Sequence, residues 1–67
     1  MAEIVYRKPP GFLGKKPYVL LSREEQQVAR DLGYGGEIGW PIVSRQRAKE
    51  IVRKVEAAVR KRQLESV

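Results

Sequence analysis

The sequence predicts a small α+β, or mainly α, domain in which an N-terminal extended or hairpin segment is followed by two helices, the second longer and amphipathic. Three observations predict this class. Aromatic and β-branched residues cluster near the N-terminus, a helix-capping motif begins at Ser22, and apolar residues recur at helical spacing after Ser44. With 67 residues the chain has room for one domain, so we treat residues 1–67 as a single unit.

The extended or hairpin segment is expected over residues 1–21. Ile4, Val5 and Tyr6 favour a strand over residues 3–7, and a second short strand is expected over residues 18–21. Between these strands, three prolines and two glycines interrupt regular structure. Antiparallel pairing of the two strands would leave a long basic loop at the tip of a hairpin.

The first helix is predicted over residues 22–32. Its start matches a capping box, in which the Ser22 hydroxyl accepts a hydrogen bond from the Glu25 N–H and the Glu25 carboxylate reaches back to the Ser22 N–H. Gly33 is expected to end the helix in a left-handed conformation. Tyr34 should then pack back against the apolar face of the helix.

A glycine-rich loop is expected over residues 33–43, because several glycines and one proline exclude a continuing helix there. Tyr34 and Trp40 have two interpretations. They are among the largest apolar groups available to a very small core, and they could also stack on unpaired bases. Since the chain has one Trp and one Phe, we expect Trp40 in the core.

The second helix is predicted over residues 44–62, with Ser44 as its cap and a frayed tail over residues 63–67. Its apolar stripe consists of Ala48, Ile51, Val52, Val55, Ala58 and Val59. This stripe is wider than the short first helix can cover. A symmetric homodimer through the second helix is therefore a further expectation.

The composition argues against catalysis. The chain has no Cys and no His, which excludes disulfides, thiol nucleophiles, imidazole bases and the usual zinc sites. No serine has a nearby base in the sequence that would activate it. We therefore expect a protein that is not an enzyme and that has no metal site and no cofactor.

No membrane segment or targeting signal is expected. The longest apolar run is four residues, 18–21, whereas a membrane-spanning helix needs roughly 18. The first residues lack the basic start and apolar stretch of a signal peptide. A cytoplasmic location is the expectation.

Positive charge is concentrated at the two ends of the sequence. The chain carries a net charge of +6, which divides into +3 over residues 1–20, −2 over residues 21–40 and +5 over residues 41–67. This distribution predicts that a polyanionic partner meets the N-terminal loop and the second helix, while the middle of the chain is a poor contact for it.

Candidate nucleic-acid contacts lie on the second helix, opposite its apolar stripe, and in the basic loop. Lys and Arg supply phosphate contacts, and a Gln in the first helical turn can read base edges. The candidate nucleic-acid-binding residues are Arg45, Gln46, Lys49, Arg53, Arg60, Lys8, Lys15 and Lys16. The competing interpretation is an ordinary solvated face on which Glu50 pairs with Lys54 and Glu56 pairs with Arg60.

The two helices also show a pattern similar to a helix-turn-helix. A small residue at Ala29, the turn glycine Gly33 and the polar start at residues 44–47 follow one another in the expected order. The usual turn has about three or four residues, whereas ten residues separate Gly33 from Ser44 here. The pattern covers about a third of the chain and identifies no family.

These observations favour non-catalytic binding of nucleic acid, with duplex DNA preferred, in a regulatory or architectural role such as transcription regulation. One alternative is a small adaptor or inhibitor that binds an acidic protein surface of the transcription or replication machinery, with Tyr34 and Trp40 as its contact residues. Association with RNA or the ribosome is a second alternative.

Overall fold

The structure, a computed structural model, describes residues 2–65. A two-stranded antiparallel hairpin is followed by two helices, the second longer, so the predicted α+β class is confirmed. The elements are β1 (Glu3–Arg7), β2 (Lys16–Leu20), α1 (Arg23–Asp31) and α2 (Arg45–Glu65). The described chain is elongated, with extents of 47 × 17 × 16 Å. Within it, neither helix combines the length and the apolar character that crossing a membrane requires.

The hairpin forms with the predicted pairing, and β2 begins two residues earlier than expected, so that it includes Pro17. Pro17 lacks an N–H, but this removes no hydrogen bond from the hairpin. Its carbonyl accepts from the Ile42 N–H at 2.8 Å, so the polar side of Pro17 faces away from β1. The segment around Ile42 thereby covers the outer edge of β2.

The tip of the hairpin turns at Pro10 and Gly11. The Phe12 N–H donates to the Pro9 carbonyl at 3.2 Å, and Gly11 has a φ of +83°. Proline followed by a glycine of positive φ is the sequence of a type II turn, which explains why this dipeptide breaks the strand. Pro9 is buried, so the turn is anchored to the rest of the fold.

The start of α1 is the predicted capping box. The Ser22 hydroxyl accepts from the Glu25 N–H at 3.2 Å, and the Glu25 carboxylate accepts from the Ser22 N–H at 2.9 Å. Glu25 is only 6% exposed. Its burial alone would raise its pKa, but the hydrogen bonds from Ser22 lower it below the ordinary value.

The end of α1 confirms the expected role of Gly33. This glycine has a φ of +95°, and its N–H donates to the Arg30 carbonyl at 3.0 Å. The Tyr34 N–H donates to the Ala29 carbonyl at 2.8 Å. The two bonds form a Schellman motif, which reverses the chain and brings Tyr34 back against the core.

Helix α2 is the centre of the packing. The Ser44 hydroxyl accepts from the Arg47 N–H at 3.2 Å, as predicted for a cap. Both strands and α1 contact α2. The buried core that they enclose consists of Val19, Val28, Ala29, Ile42, Ala48, Ile51 and Val55. The predicted stripe therefore faces the core, with Ile51 and Val55 at its centre.

Helix α2 continues to Glu65, three residues beyond its predicted end at residue 62. The predicted frayed tail is therefore helical over residues 63–65, and residues 66–67 lie outside the described residues. Gln, Leu and Glu are good helix formers, and neither Gly nor Pro stops the helix. Arg62 also donates to the Asp31 carboxylate at 2.6 Å, which attaches this part of α2 to α1.

The homodimer through α2 stays a prediction. Ile51 and Val55 are fully buried within the single chain. Val52, Ala58 and Val59 are half-buried and pack against the core. Only the margin of the stripe is therefore left for a second copy to cover.

Replacement of Val55 by Asp should destabilise the fold by about 3–5 kcal/mol, because an unpaired carboxylate would replace a fully buried side chain. Ala57→Asp is the matched control, since it makes the same carboxylate on the exposed face of the same helix. It should cost about 1 kcal/mol or less. Chemical denaturation of both variants measures the difference, and equal losses would contradict the observed orientation of α2.

Candidate nucleic-acid interface

The hairpin tip and the beginning of α2 lie at the same end of the molecule. The hydrogen bond from Ile42 to Pro17 joins the two regions at 2.8 Å. Lys16 precedes Pro17, and Arg45 follows Ile42 by three residues, so their Cα atoms are within roughly 20 Å of each other. We call this region the basic end, and it consists of Lys8, Lys15, Lys16, Arg45, Gln46, Lys49 and Arg53.

The side chains of the basic end are exposed, apart from half-buried Lys16. The Lys16 ammonium lies 5.8 Å from the centre of the Phe12 ring. On α2, Gln46, Lys49 and Arg53 line one open depression on the helix surface, together with Ser44, Arg47 and Glu50. The structure thus brings these three predicted contacts together on one face.

The first turn of α2 has an unusual charge pattern. It contains no acidic residue, whereas the first turn of α1 carries Glu24 and Glu25. The N-terminus of a helix is the positive end of its dipole, so Arg45 and its neighbours add to an already positive potential. This arrangement is unfavourable for the free protein and favourable for an anion placed there.

Arg47 binds the two carboxylates that lie beside these cations. Its guanidinium donates two hydrogen bonds to Glu37, at 2.9 and 2.6 Å, and lies 3.4 Å from the Glu50 carboxylate. It also stacks 5.2 Å from the centre of the Tyr34 ring. The hydrogen bonds from Arg47 lower the pKa of Glu37, and those to Glu37 raise the pKa of Arg47.

The contact between Arg47 and Glu37, which we call the clamp, changes the charge of the surface beside the basic end. The Arg47 guanidinium compensates the charge of one carboxylate, that of Glu37, to which it donates two hydrogen bonds, while Glu50 lies 3.4 Å from the same guanidinium. Across residues 2–65, Arg45, Lys49 and Arg53 form neither ion pairs nor hydrogen bonds through their side chains. These three cations are available to a ligand.

Arg60 is separated from the other predicted contacts. It lines a depression together with the carboxylate residues Glu24, Glu25 and Glu56. The acidic start of α1 packs beside this part of α2, which the sequence pattern of α2 alone does not show. Three glutamates thus line the depression of Arg60, whereas one glutamate, Glu50, lines the depression of Lys49 and Arg53 and lies 3.4 Å from the Arg47 guanidinium.

Trp40 is exposed, so the expectation that it belongs to the core is wrong. Its exposed fraction is 66%. The loop turns tightly over residues 35–39, and it supplies the core with Ile38 and Ile42 instead. Tyr34 is half-buried and packs against the core. The two aromatic residues that the sequence analysis considered together thus have different environments.

The contact between Glu37 and Arg47 is not predicted by the sequence pattern. They are ten residues apart and belong to different elements, so neither helical nor strand periodicity relates them. Their meeting depends on the turn of the loop, in which the Glu37 and Ile38 N–H groups both donate to the Tyr34 carbonyl, at 2.9 and 3.2 Å.

Comparison of the sequence with protein-family models and with curated proteins, and of the fold with solved structures, gave no significant match.

The clamp between Glu37 and Arg47 should make the stability of the fold depend on pH in the acidic range. The pKa of Glu37 is lowered in the folded chain, so its contribution is present above its ordinary value of 4.5 and is lost as the pH falls through the folded value. Wild type should therefore be more stable than Glu37→Gln near neutral pH. This difference should disappear in acid. Thermal melting at a series of pH values measures it.

The control for this experiment removes Arg47, the hydrogen-bond partner of Glu37. In an Arg47→Gln background, Glu37→Gln should have little effect on stability at any pH, because the clamp is already absent. An undiminished effect of Glu37→Gln in that background would show that Glu37 acts through some other contact.

Proposed function

We propose that this chain is a cytoplasmic, non-catalytic nucleic-acid-binding protein with a regulatory or architectural role, and that it binds duplex DNA through the basic end. One observation carries the proposal. Arg45, Lys49 and Arg53 are exposed on the first three turns of α2 and have no partners within residues 2–65, Arg45 lies at the positive end of the helix dipole, and Arg47 binds Glu37 and contacts Glu50. Such a surface attracts a polyanion.

The helical face suits a duplex. Gln46, Lys49 and Arg53 lie on successive turns of α2, so they can follow one wall of a groove. The major groove is about 12 Å wide and admits an α-helix. In this arrangement Lys49 and Arg53 contact phosphates, and Gln46, in the first turn, reaches the base edges.

The hairpin tip supplies a second group of phosphate contacts. Lys8 and Lys15 are exposed and lie beyond the last paired residues of the hairpin, Arg7 and Lys16. Since this tip lies at the same end as the start of α2, it can meet the phosphate backbone adjacent to the groove that α2 occupies. Arg60 is not part of this proposed contact surface, because its neighbours are glutamates.

The double variant Lys49→Ala/Arg53→Ala tests the proposal. It should weaken binding to all duplex sequences alike and reduce the slope of log affinity against log salt by about two, one for each lost phosphate contact. Arg60→Ala is the matched control, since it removes one positive charge from the same helix, and it should leave the slope nearly unchanged. Fluorescence anisotropy of a labelled duplex at several salt concentrations measures all three proteins.

Two results would overturn the proposal. Wild type could show no affinity for duplex DNA at low salt, or the double variant could keep the full salt slope. Tight binding of RNA without binding of duplex DNA would instead assign the same cations to an RNA ligand.

Gln46→Ala should act differently from the Lys and Arg substitutions. A side chain that reads a base edge contributes about 1–3 kcal/mol to the choice between bases. The variant should therefore lose preference among duplex sequences more than overall affinity. Selection of preferred sites from a random duplex pool, carried out with wild type and variant, measures this change. If the variant keeps the sequence preference of wild type, Gln46 does not contact a base edge.

A further inference from the structure

Trp40 is exposed, and its chain segment adjoins the basic end. Trp40 precedes Ile42 by two residues, and the Ile42 N–H bonds to the Pro17 carbonyl at 2.8 Å. Chain geometry therefore keeps the Cα atoms of Trp40 and Lys16 within roughly 17 Å. Phe12, whose ring lies 5.8 Å from the Lys16 ammonium, is also 44% exposed. Two exposed aromatic residues, Phe12 and Trp40, thus belong to chain segments that adjoin the basic end.

Trp40 makes little contribution to the core. The loop already supplies Ile42, which is 2% exposed, and half-buried Ile38 and Tyr34. The Trp40 N–H donates to the Glu37 carbonyl at 3.4 Å, so its backbone belongs to the turn that the clamp of Glu37 and Arg47 holds. A large flat ring is therefore presented to solvent on an anchored piece of backbone.

The charges on the chain segments that adjoin Trp40 favour one kind of ligand. These segments carry Lys15, Lys16 and Arg45, and the acidic residue in the same turn, Glu37, is bound to Arg47. A nucleobase combines a flat face that stacks on Trp with a phosphate a few ångströms away. In a duplex that face is covered by neighbouring bases, so only an unpaired base can offer it.

We propose that Trp40 stacks on an unpaired base adjoining the duplex that the basic end binds. This inference rests on the proposed function and specifies its ligand as a nucleic acid in which duplex meets an unpaired strand. Helix α2 holds the duplex, and Trp40, just before the start of α2, receives the first unpaired base.

Two probes test the inference: a blunt DNA duplex, and the same duplex with a short overhang of unpaired thymines. Trp40 is the one tryptophan of the chain, so its intrinsic fluorescence reports on this position alone. Wild type should bind the overhang probe about tenfold more tightly than the blunt probe, with quenching of Trp40 fluorescence by the overhang probe.

The variants separate stacking from general apolar contact. Trp40→Ala should bind the blunt duplex like wild type and lose the preference for the overhang, whereas Trp40→Phe should keep part of it because the ring remains. Val43→Ala is the control, since Val43 is an exposed apolar neighbour at 82% exposure that has no ring, and it should keep the full preference.

The outcomes distinguish this inference from the proposed function. Equal binding of both probes by wild type, without quenching, overturns the stacking role and leaves duplex binding intact. A loss of overhang preference in Val43→Ala as large as in Trp40→Ala also overturns it, because the contact would then be apolar rather than aromatic. Absence of binding to either probe overturns both proposals and leaves an acidic protein surface as the ligand for this end.

Discussion

Burial of the apolar stripe of α2 is the constraint on which the rest of the structure depends. The hairpin, α1 and the loop before α2 all contribute to covering Ala48, Ile51 and Val55, which are fully buried. Because a small chain has few apolar residues, no other element provides a comparable centre. Covering this stripe also determines which face of α2 stays exposed. The exposure of the face that carries Lys49 and Arg53 is therefore a consequence of the packing.

The clamp formed by Arg47 and Glu37 connects the fold to the surface charge. It holds the glycine-rich loop against α2, which positions Ile42 on β2 and leaves Trp40 at the surface. The same guanidinium also engages Glu50. One side chain, Arg47, thus contacts both the loop, through Glu37, and the exposed face of α2, through Glu50.

The local elements could be predicted from sequence because their signals are local. The capping box of Ser22 and the left-handed Gly33 each rest on residues within a few positions of each other, and both were confirmed. The environments of Trp40 and Arg60 were not predictable in this way. Each depends on segments that are distant in sequence: Trp40 lies at the end of the turn of the loop, and the acidic start of α1 lines the same depression as Arg60. Periodicity along one helix carries no information on such neighbours.

The most direct test of the account is to observe which residues of the chain a duplex contacts. Titration of isotope-labelled protein with a short DNA duplex at low salt, followed through backbone amide chemical shifts, reports on every residue except the prolines. Binding through the basic end predicts that the changes concentrate in residues 8–16 and 40–53 and are small over residues 56–63. Changes centred on residues 56–63, or no changes at all, would contradict it.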